Sequence, residues 1–246
     1  MSATLARRAP AALEARLRSR EEIAAATMAF RFEKPSGLAF KAGQAVDLVL
    51  PGTDGQPLRH TFSPASAPFE EQLEIATRMR DSGYKRALAA LPLGAAAAIE
   101  GPSGSLTLHN DRSRAAVLLA GGIGITPFMS MLRQAVRDPQ PHRIALLYSN
   151  RRPEDAAYLE ELLRLGRDDG RFRLVATMTQ MARSARPWHG ETRPIDAAMV
   201  AAAAEGLAAP VYYVAGPPAM VDAMRGLLGE AGIDDDDIRS EDFYGY

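Results

Sequence analysis

Residues 118–129 read LLAGGIGITPFM, an apolar run that stops at a glycine-rich turn and leads straight into a helix start. We expect Thr126 to cap this helix with its hydroxyl and Pro127 to take the first helical position, where its missing N–H costs nothing. The free N–H groups and positive dipole end of such a helix attract a phosphate, and glycines let the backbone approach it closely. The stretch therefore predicts a strand, a phosphate-binding turn and a helix, with a plain tight turn as the alternative.

The composition is that of a globular protein with no strong charge bias. The 246 residues suffice for one large domain or two ordinary ones, and 47% of them are hydrophobic. A net charge of -1 gives no electrostatic case for nucleic acid or an anionic membrane. No apolar run approaches the ~20 residues of a membrane span. Residues 1–12 lack the apolar core of a secretory signal, so we expect a short frayed arm and a cytoplasmic protein.

The chain contains no cysteine, which excludes disulfides, cysteine-ligated iron–sulfur clusters and cysteine nucleophiles within it. Its four histidines lie far apart in sequence and form no helical metal pair. They are His60, His109, His142 and His189. We therefore predict no metal site ligated by this chain.

The first half, up to about His109, has the rhythm of short strands separated by turns. The candidate strands are residues 15–20, 27–33, 44–50, 73–79 and 95–100. One helix is predicted between them, over residues 84–91, before Pro92 and Gly94. Several strands at this spacing predict a small antiparallel barrel.

After the polar linker of residues 109–114, apolar runs alternate with helical segments. The apolar runs are residues 115–120, 144–148, 172–178 and 211–215. Helical spacing of apolar residues is found in 128–136, in 158–165 and after the sequence Gly216-Pro217-Pro218. Continuous apolar strands joined by helices predict a parallel sheet covered on both faces.

A second distinctive string lies in the barrel half, where residues 59–68 read RHTFSPASAP. Residues 76–80 (ATRMR) and a helix start at 83–86 (GYKR) follow it. Cations and helix N-terminal amides suit a pyrophosphate, and Phe62 can offer a face to a flat ring. The residues alone leave open the alternative of a solvated basic face around a core phenylalanine.

The order of these motifs resembles that of the ferredoxin–NADP reductase superfamily of two-domain flavin oxidoreductases, from about residue 15 to 246. The family's flavin motif is an arginine, a variable residue, Tyr or Phe, then Ser or Thr, and Phe62-Ser63 matches its second half. His60 stands where the arginine is expected, with Arg59 one place earlier. The GYKR string resembles the family's second phosphate-binding helix start, with basic residues in place of its serine. The resemblance thus implies that Arg59, Lys85 or Arg86 supplies the positive charge that contacts the pyrophosphate.

The second half also carries family motifs. The turn at 121–127 matches the pyridine-nucleotide turn, and residues 215–220 (AGPPAM) match the Cys-Gly-Pro-Pro motif with Ala215 in place of the cysteine. Because that cysteine lies near the nicotinamide in the family, its absence implies slower or differently tuned hydride transfer. Residues 148–152 (YSNRR) fall where the family binds the adenosine ribose.

The resemblance implies the fold and the cofactors. We predict an N-terminal six-stranded antiparallel β-barrel for FAD, residues 1–110, and a C-terminal Rossmann-like α/β parallel sheet for NAD(P), residues 111–246. The implied catalytic residues are Ser63, Glu241, Phe243 and Tyr246. The implied cofactor-binding residues are Arg59, His60, Thr61, Phe62, Ser63, Ala76, Thr77, Tyr84, Lys85, Arg86, Gly121, Gly122, Gly124, Thr126, Pro127, Ser149, Asn150, Arg151, Arg152, Gly216, Pro217 and Met220.

Each implied role has a structural alternative. Ser63 is expected to hydrogen-bond near flavin N5, or else to cap a turn before Pro64. Phe62 is expected to pack on the flavin ring, or else in the core. Phe243 or Tyr246 is expected to cover the other ring face, or else to belong to a frayed terminus.

The predicted function is an FAD-dependent NAD(P)H oxidoreductase that passes electrons to a ferredoxin, a flavodoxin, a monooxygenase component or a small molecule. Because the chain has no cysteine, we expect any cysteine-ligated cluster in a separate protein. FAD is favoured over FMN because the 83–86 helix start suits a pyrophosphate. Arg151 and Arg152 favour NADPH, since they suit a 2′-phosphate. A free-flavin reductase and an electron-transfer or nucleotide-sensing subunit are the alternatives, and the oligomeric state is open.

Overall fold

The computed structural model describes residues 12–52, 55–137 and 142–244. Tyr246 and nearly all of the predicted N-terminal arm lie outside these residues. The elements of the first half are β1 (Leu13–Ala24), β2 (Thr27–Glu33), β3 (Ala45–Leu50), β4 (Leu58–Phe62), β5 (Gln72–Arg78), α1 (Gly83–Ala90) and β6 (Ala96–Ser103).

The six strands form one antiparallel sheet in the order β4-β3-β6-β1-β2-β5, which confirms the predicted architecture of this half. Its two edge strands are linked where the chain leaves β4. The Ala65 N–H donates to the Glu74 carbonyl at 2.9 Å, and the Glu74 N–H donates to the Ser66 hydroxyl at 2.9 Å. This link curls the sheet around a core that includes Phe30 and Phe32.

The elements of the second half are β7 (Ala116–Gly121), α2 (Ile125–Arg137), β8 (Ile144–Asn150), α3 (Leu159–Asp168), β9 (Phe172–Met178), α4 (Ala197–Ala204), β10 (Val211–Gly216), α5 (Pro218–Glu230) and β11 (Ile238–Asp242). The strands are parallel and lie in the order β11-β10-β7-β8-β9, as the apolar runs predicted. Leu118 and Leu146 pack in one core with α2 and α3, whereas Val117 and Leu147 pack in another with α4 and α5. Both faces of the sheet are therefore covered, which suits its continuous apolar strands.

The two halves share a buried polar contact. Glu74 of β5 accepts hydrogen bonds from Arg31 at 2.6 Å, from Tyr158 at 2.8 Å and from Arg133 of α2 at 3.3 Å. Arg133 also makes a bidentate pair with Glu161 at 2.9 Å. Because a buried carboxylate held by several donors resists displacement, this network fixes the barrel against α2.

Among the described residues, no helix is both long and apolar enough to span a bilayer. The longest helices there, α2 and α5, have 13 residues each. The domain limits of 1–110 and 111–246 stay a prediction.

Candidate functional site

The glycine-rich turn lies where the strand order of the parallel sheet reverses, between β7 and β10. Open α/β sheets bind their ligands in the crevice at this position. A Cβ on Gly124 would lie 2.3 Å from the Ala215 carbonyl oxygen, and a Cβ on Gly121 would lie 2.2 Å from Met220 Sδ. Gly124 therefore lets the turn pack directly on the end of β10, and Gly121 lets the end of β7 pack on the start of α5. Gly122 differs, since it has a φ of +53° and a Cβ there would meet only open space.

The helix begins earlier than the sequence predicts. A short 3₁₀ turn over Gly122–Gly124 continues directly into α2 at Ile125. Thr126 is consequently buried inside the first turn of the helix, and the prediction that it caps the helix is wrong. The physical reason is Gly122, whose positive φ turns the chain immediately after β7. Pro127 still lies in the first turn, where its missing N–H costs nothing.

The crevice beside this turn is a cavity of about 210 Å³. Seven of its lining residues are among those predicted to bind cofactor: Gly121, Gly122, Ser149, Asn150, Arg151, Pro217 and Met220. The Asn150 side-chain nitrogen Nδ2 is buried and has no hydrogen-bond acceptor among the described residues. Because buried donors are nearly always satisfied, this nitrogen fits a site that a polar ligand completes.

The two arginines after β8 have different surroundings. Arg152 pairs with Asp155 through two contacts of 2.8 and 2.9 Å, and Asp155 also lies 3.4 Å from Arg78 at the end of β5. Arg151 is exposed beside the crevice and forms no ion pair within the described part of the chain. Of these two arginines, Arg151 is therefore the one left available to a ligand.

A second cavity, of about 380 Å³, lies between β4 and the C-terminal segment. Its wall contains Ser63 from the barrel and Glu241 from β11. The Ser63 hydroxyl donates to Glu241 Oε1 at 3.0 Å across a sequence separation of 178 residues. Burial raises the pKa of the Glu241 carboxyl above its ordinary value, and the Ser63 hydrogen bond offsets part of that rise. The structure thus brings two predicted catalytic residues into one hydrogen-bonded pair.

The predicted ring-stacking residue Phe62 is only 2% exposed. The His60 ring stacks on it with the centroids 4.6 Å apart, and the Tyr84 ring lies 5.8 Å from it. His60 and Phe62 are two residues apart on β4 and hence share one face of the strand. A flavin ring can reach Phe62 only if His60 turns aside, so the role of Phe62 stays a prediction.

The predicted phosphate-binding cations have separate environments. Arg59 pairs with Asp47 at 2.9 Å and with Glu100 at 2.6 Å, whereas Arg86 pairs with Asp81 on the surface. Lys85 is 3% exposed. Its ammonium donates to the Thr77 hydroxyl and lies 5.0 Å from the centre of the Phe62 ring. Burial lowers the pKa of Lys85 to about 8.

Four more of the predicted cofactor-binding residues lie in β4, β5 and β10. Thr61 of β4 donates to Asp47 at 2.6 Å, and Ala76 and Thr77 are buried in β5. Gly216 ends β10, and a Cβ on it would lie 3.1 Å from Gly121 Cα.

Phe243 lies at the junction of the two cavities and lines both of them. Its N–H donates to the Gly216 carbonyl at 2.9 Å, which fixes the segment after β11 to the end of β10. The alternative of a frayed terminus therefore does not hold for Phe243, whereas Tyr246 lies outside the described residues.

Five crevice residues are absent from the predicted set, namely Arg78, Arg80, Ile123, Asp155 and Thr179. The two arginines belong to the ATRMR string, whose basic character was the available signal. Its position at the end of a barrel strand suggested the flavin site only. Among the described residues, no group of three His, Asp or Glu side chains is placed to hold a metal ion.

A curled antiparallel sheet and a doubly wound parallel sheet that meet at adjoining cavities define a two-domain oxidoreductase fold. The oxidoreductase FAD-binding domain family matches residues 14–108, and the oxidoreductase NAD-binding domain family matches residues 118–226. Ferredoxin–NADP reductase B of Sorangium cellulosum is 32% identical over 230 residues, which cover 89% of this chain and 93% of that protein. The chain therefore belongs to the ferredoxin–NADP reductase family.

Other relatives are longer than this chain. The reductase component of propane 2-monooxygenase from Mycolicibacterium goodii is 29% identical over 214 residues, which cover 85% of this chain and 61% of that protein. Among solved structures, a Neisseria gonorrhoeae ferredoxin–NADP⁺ reductase with bound FAD and NADP has a TM-score of 0.79 at 21% identity. The match covers 94% of this chain and 98% of that one, and it shows the shared fold.

Proposed function

We propose that this chain takes hydride from NADPH or NADH in the crevice, transfers it to FAD in the barrel cavity, and supplies the electrons to a protein acceptor. The observation that carries the proposal is Phe243, which lines both the crevice and the Ser63–Glu241 cavity. If each cavity held a ligand, only the Phe243 side chain would lie between the two ligands at this point. The bound flavin supplies the hydride-accepting and electron-storing chemistry.

The residues of both cavities fit this assignment. The N–H groups at the start of the turn–helix unit after β7 suit the pyrophosphate of a dinucleotide. Asn150 supplies a buried donor, and the open space beside Gly122 leaves room for the ligand. In the barrel, Tyr84 and His60 offer aromatic surface next to the buried Lys85 ammonium. We propose FAD over FMN because the helix start of α1 and Lys85 together suit a pyrophosphate.

The chain's own residues would then do three things. Phe243 would exclude water from the junction and move aside when the nicotinamide enters. Ser63 and Glu241 would hold a proton next to the flavin, because a carboxyl with a raised pKa keeps its proton to higher pH. Ala215 leaves the nicotinamide side without the thiol that the family motif carries.

The acceptor is inferred from the kinds of protein to which the relatives belong. They include a ferredoxin–NADP reductase and the reductase components of propane 2-monooxygenase and phenol 2-monooxygenase. We propose a ferredoxin, a flavodoxin or a monooxygenase component, whose redox centre would lie outside these 246 residues. The cytoplasmic location and the absence of nucleic-acid and membrane partners stay predictions from the sequence.

An anaerobic absorbance titration tests the proposal. The purified chain is expected to show a flavin spectrum that NADPH bleaches, with NADH compared in a second cuvette. A protein that binds flavin but is bleached by neither would contradict the reductase assignment and favour a nucleotide-sensing subunit.

We predict that Arg151→Ala raises the KM for NADPH by about tenfold or more, because it removes a charge-assisted hydrogen bond to the 2′-phosphate. The KM for NADH should change less than about twofold, since its ribose carries no phosphate. Steady-state kinetics with both cosubstrates measure the two values. Arg152→Ala is the matched control, and its smaller effect should be similar for both cosubstrates because Arg152 is held by Asp155. Equal changes for NADPH and NADH in Arg151→Ala would rule out this preference.

A free-flavin reductase is the second candidate, and one observation favours it. Arg59 and Arg86 are both engaged by carboxylates, so only Lys85 of the predicted cations is directed into the barrel interior. A weak hold on the pyrophosphate would make the flavin an exchangeable substrate. Exhaustive dialysis distinguishes the two, since a prosthetic flavin stays with the protein.

His60→Arg is expected to strengthen flavin retention, lowering the Kd for FAD by about tenfold, because it restores a cation at the family's pyrophosphate position. Fluorescence titration of dialysed protein with FAD gives the value. His60→Gln is the control, since it removes the ring without adding charge. A Kd that is unchanged in His60→Arg would exclude a pyrophosphate role at this position.

A further inference from the structure

A further cavity lies apart from the proposed redox site. It has a volume of about 520 Å³ and shares no lining residue with the two cavities described above. It lies at the junction of the two halves, between a barrel loop, the linker after Leu106, helix α2 and strand β11. A cavity of this size is large enough for a small organic molecule.

The charges that line this junction cavity all have one sign. Lys41, Arg112 and Arg239 contribute to its wall, and no Asp or Glu does. None of these three cations forms an ion pair within residues 12–52, 55–137 and 142–244. Unpaired cations that converge on a concave surface attract an anion.

The two neighbouring carboxylates are engaged elsewhere. Asp111 accepts hydrogen bonds from the Ser113 N–H at 2.9 Å and from its hydroxyl at 2.6 Å. Asp237 pairs with Arg114 at 2.7 Å. Both carboxylates are therefore engaged mainly by other partners, although Asp237 also interacts electrostatically with Arg239.

One of the cations is held in place. Arg239 donates to the Thr107 carbonyl at 2.7 Å, and its guanidinium lies 5.6 Å from the centre of the Tyr213 ring. These contacts limit its motion while leaving other N–H donors of the guanidinium available, since arginine has five. The site thus has one fixed cation and two exposed ones at its rim.

The rest of the wall combines polar side chains with an apolar part made of Ala42, Leu108, Met131 and Ala135. We infer that the junction cavity is a binding site for a small amphipathic anion, a molecule with an apolar body and one or two carboxylate groups. The apolar part of the wall distinguishes this ligand from a bare inorganic ion. The inference is independent of the proposed redox function.

Through Arg239, a ligand in the junction cavity would be linked to the Ser63–Glu241 cavity. Arg239 and Glu241 are two residues apart on β11 and share one face of the strand, about 7 Å apart along it. Arg239 contacts the linker, and Glu241 contacts Ser63 of the barrel. An anion bound to Arg239 would therefore hold the same strand that carries the flavin-side carboxyl.

Calorimetric titration with phthalate tests the site. The 246-residue chain is loaded with FAD and saturated with NADP⁺ so that the crevice is filled, and chloride keeps the ionic strength constant. Phthalate is expected to bind saturably at a single site, at least about tenfold more tightly than its uncharged diamide. Inorganic phosphate, which lacks the apolar body, should bind more weakly than phthalate. Phosphate binding without phthalate binding would overturn the assignment, as would the absence of saturable phthalate binding.

Charge-matched variants locate the binding. Lys41→Ala plus Arg112→Ala is expected to weaken phthalate binding by about tenfold or more, because both cations line the cavity. Arg164→Ala plus Arg167→Ala removes the same charge from exposed positions on α3 and should leave binding unchanged. Arg151→Ala should also have no effect. Equal weakening by the two double variants, or loss of binding in Arg151→Ala, would contradict a site at the junction.

Discussion

Gly124→Ala is expected to destabilise the protein by at least about 3 kcal/mol, at the upper end of the range for overpacking a core. The added Cβ would lie 2.3 Å from the Ala215 carbonyl oxygen and 2.7 Å from Gly216 Cα. Both are backbone atoms of β10, whose neighbour in the sheet is β7. No side-chain rotation relieves such a contact, so the 3₁₀ turn must move away from the end of β10.

Thermal or urea unfolding measures this effect. For a chain of this length, about 3 kcal/mol corresponds to a fall in Tm of roughly 6–12 °C. Gly226→Ala is the matched control, because it is the same chemical change inside α5 at a position with no atom within 4 Å of the new Cβ. Alanine favours helix over glycine by up to about 1 kcal/mol, so this control should unfold at the same or a higher temperature. A Gly124→Ala protein as stable as the wild type would show that the turn does not need the close approach.

The strands that the sequence predicts best are those with a clear apolar pattern. The range 27–33 coincides with β2, in which Phe30 and Phe32 are buried while Arg31 and Glu33 are not, and the apolar run 172–178 coincides with β9. By contrast, β4 and β11 are edge strands made mostly of polar residues, and neither was predicted. An edge strand is defined by pairing with one distant neighbour, which local periodicity does not record.

The candidate site also contains side-chain contacts that the local sequence does not reveal. The glycine-rich turn was recognised because a local sequence determines its geometry. The partners of Arg59 were not, because Asp47 and Glu100 reach it through the register of β3 with β4 and β6. The Arg152–Asp155 pair was also not predicted. Because of this pair, Arg152 is held by a carboxylate whereas Arg151 is not, although both were predicted to bind the 2′-phosphate.

The pairing of Ser63 with Glu241 leads to the second large effect. Glu241→Gln is expected to lower kcat with a protein acceptor by about 100-fold, the lower end of the range for a positioned proton donor or acceptor. The variant keeps the shape of the side chain and removes only its ability to exchange a proton. Glu230→Gln, the same change at an exposed position at the end of α5 and outside both cavities, is the matched control and should change kcat less than about threefold.

The pH dependence follows from the raised pKa of Glu241. Because burial disfavours the carboxylate, the folded protein holds this proton to a higher pH than the unfolded chain does. The stabilisation linked to that proton is present below the unfolded pKa and is lost as the pH rises through the folded one. Glu241→Gln should therefore be more stable, relative to wild type, at pH 7 than at pH 4. Its kcat should also lose the decline that wild type shows as Glu241 deprotonates.

The Ser63→Ala variant tests whether Ser63 and Glu241 share one catalytic role or act independently. The Ser63 hydroxyl is hydrogen-bonded to Glu241 in the free protein, so its loss should slow turnover and raise the Glu241 pKa further. If the two residues act as one unit, Ser63→Ala will add less than about threefold to the defect of Glu241→Gln. Rapid-mixing kinetics of flavin reduction and of acceptor reduction show which half-reaction carries the effect. Full additivity in the double variant would show that Ser63 and Glu241 act independently. Unchanged turnover and an unchanged pH profile in Glu241→Gln would show that the contact only joins the two halves of the chain.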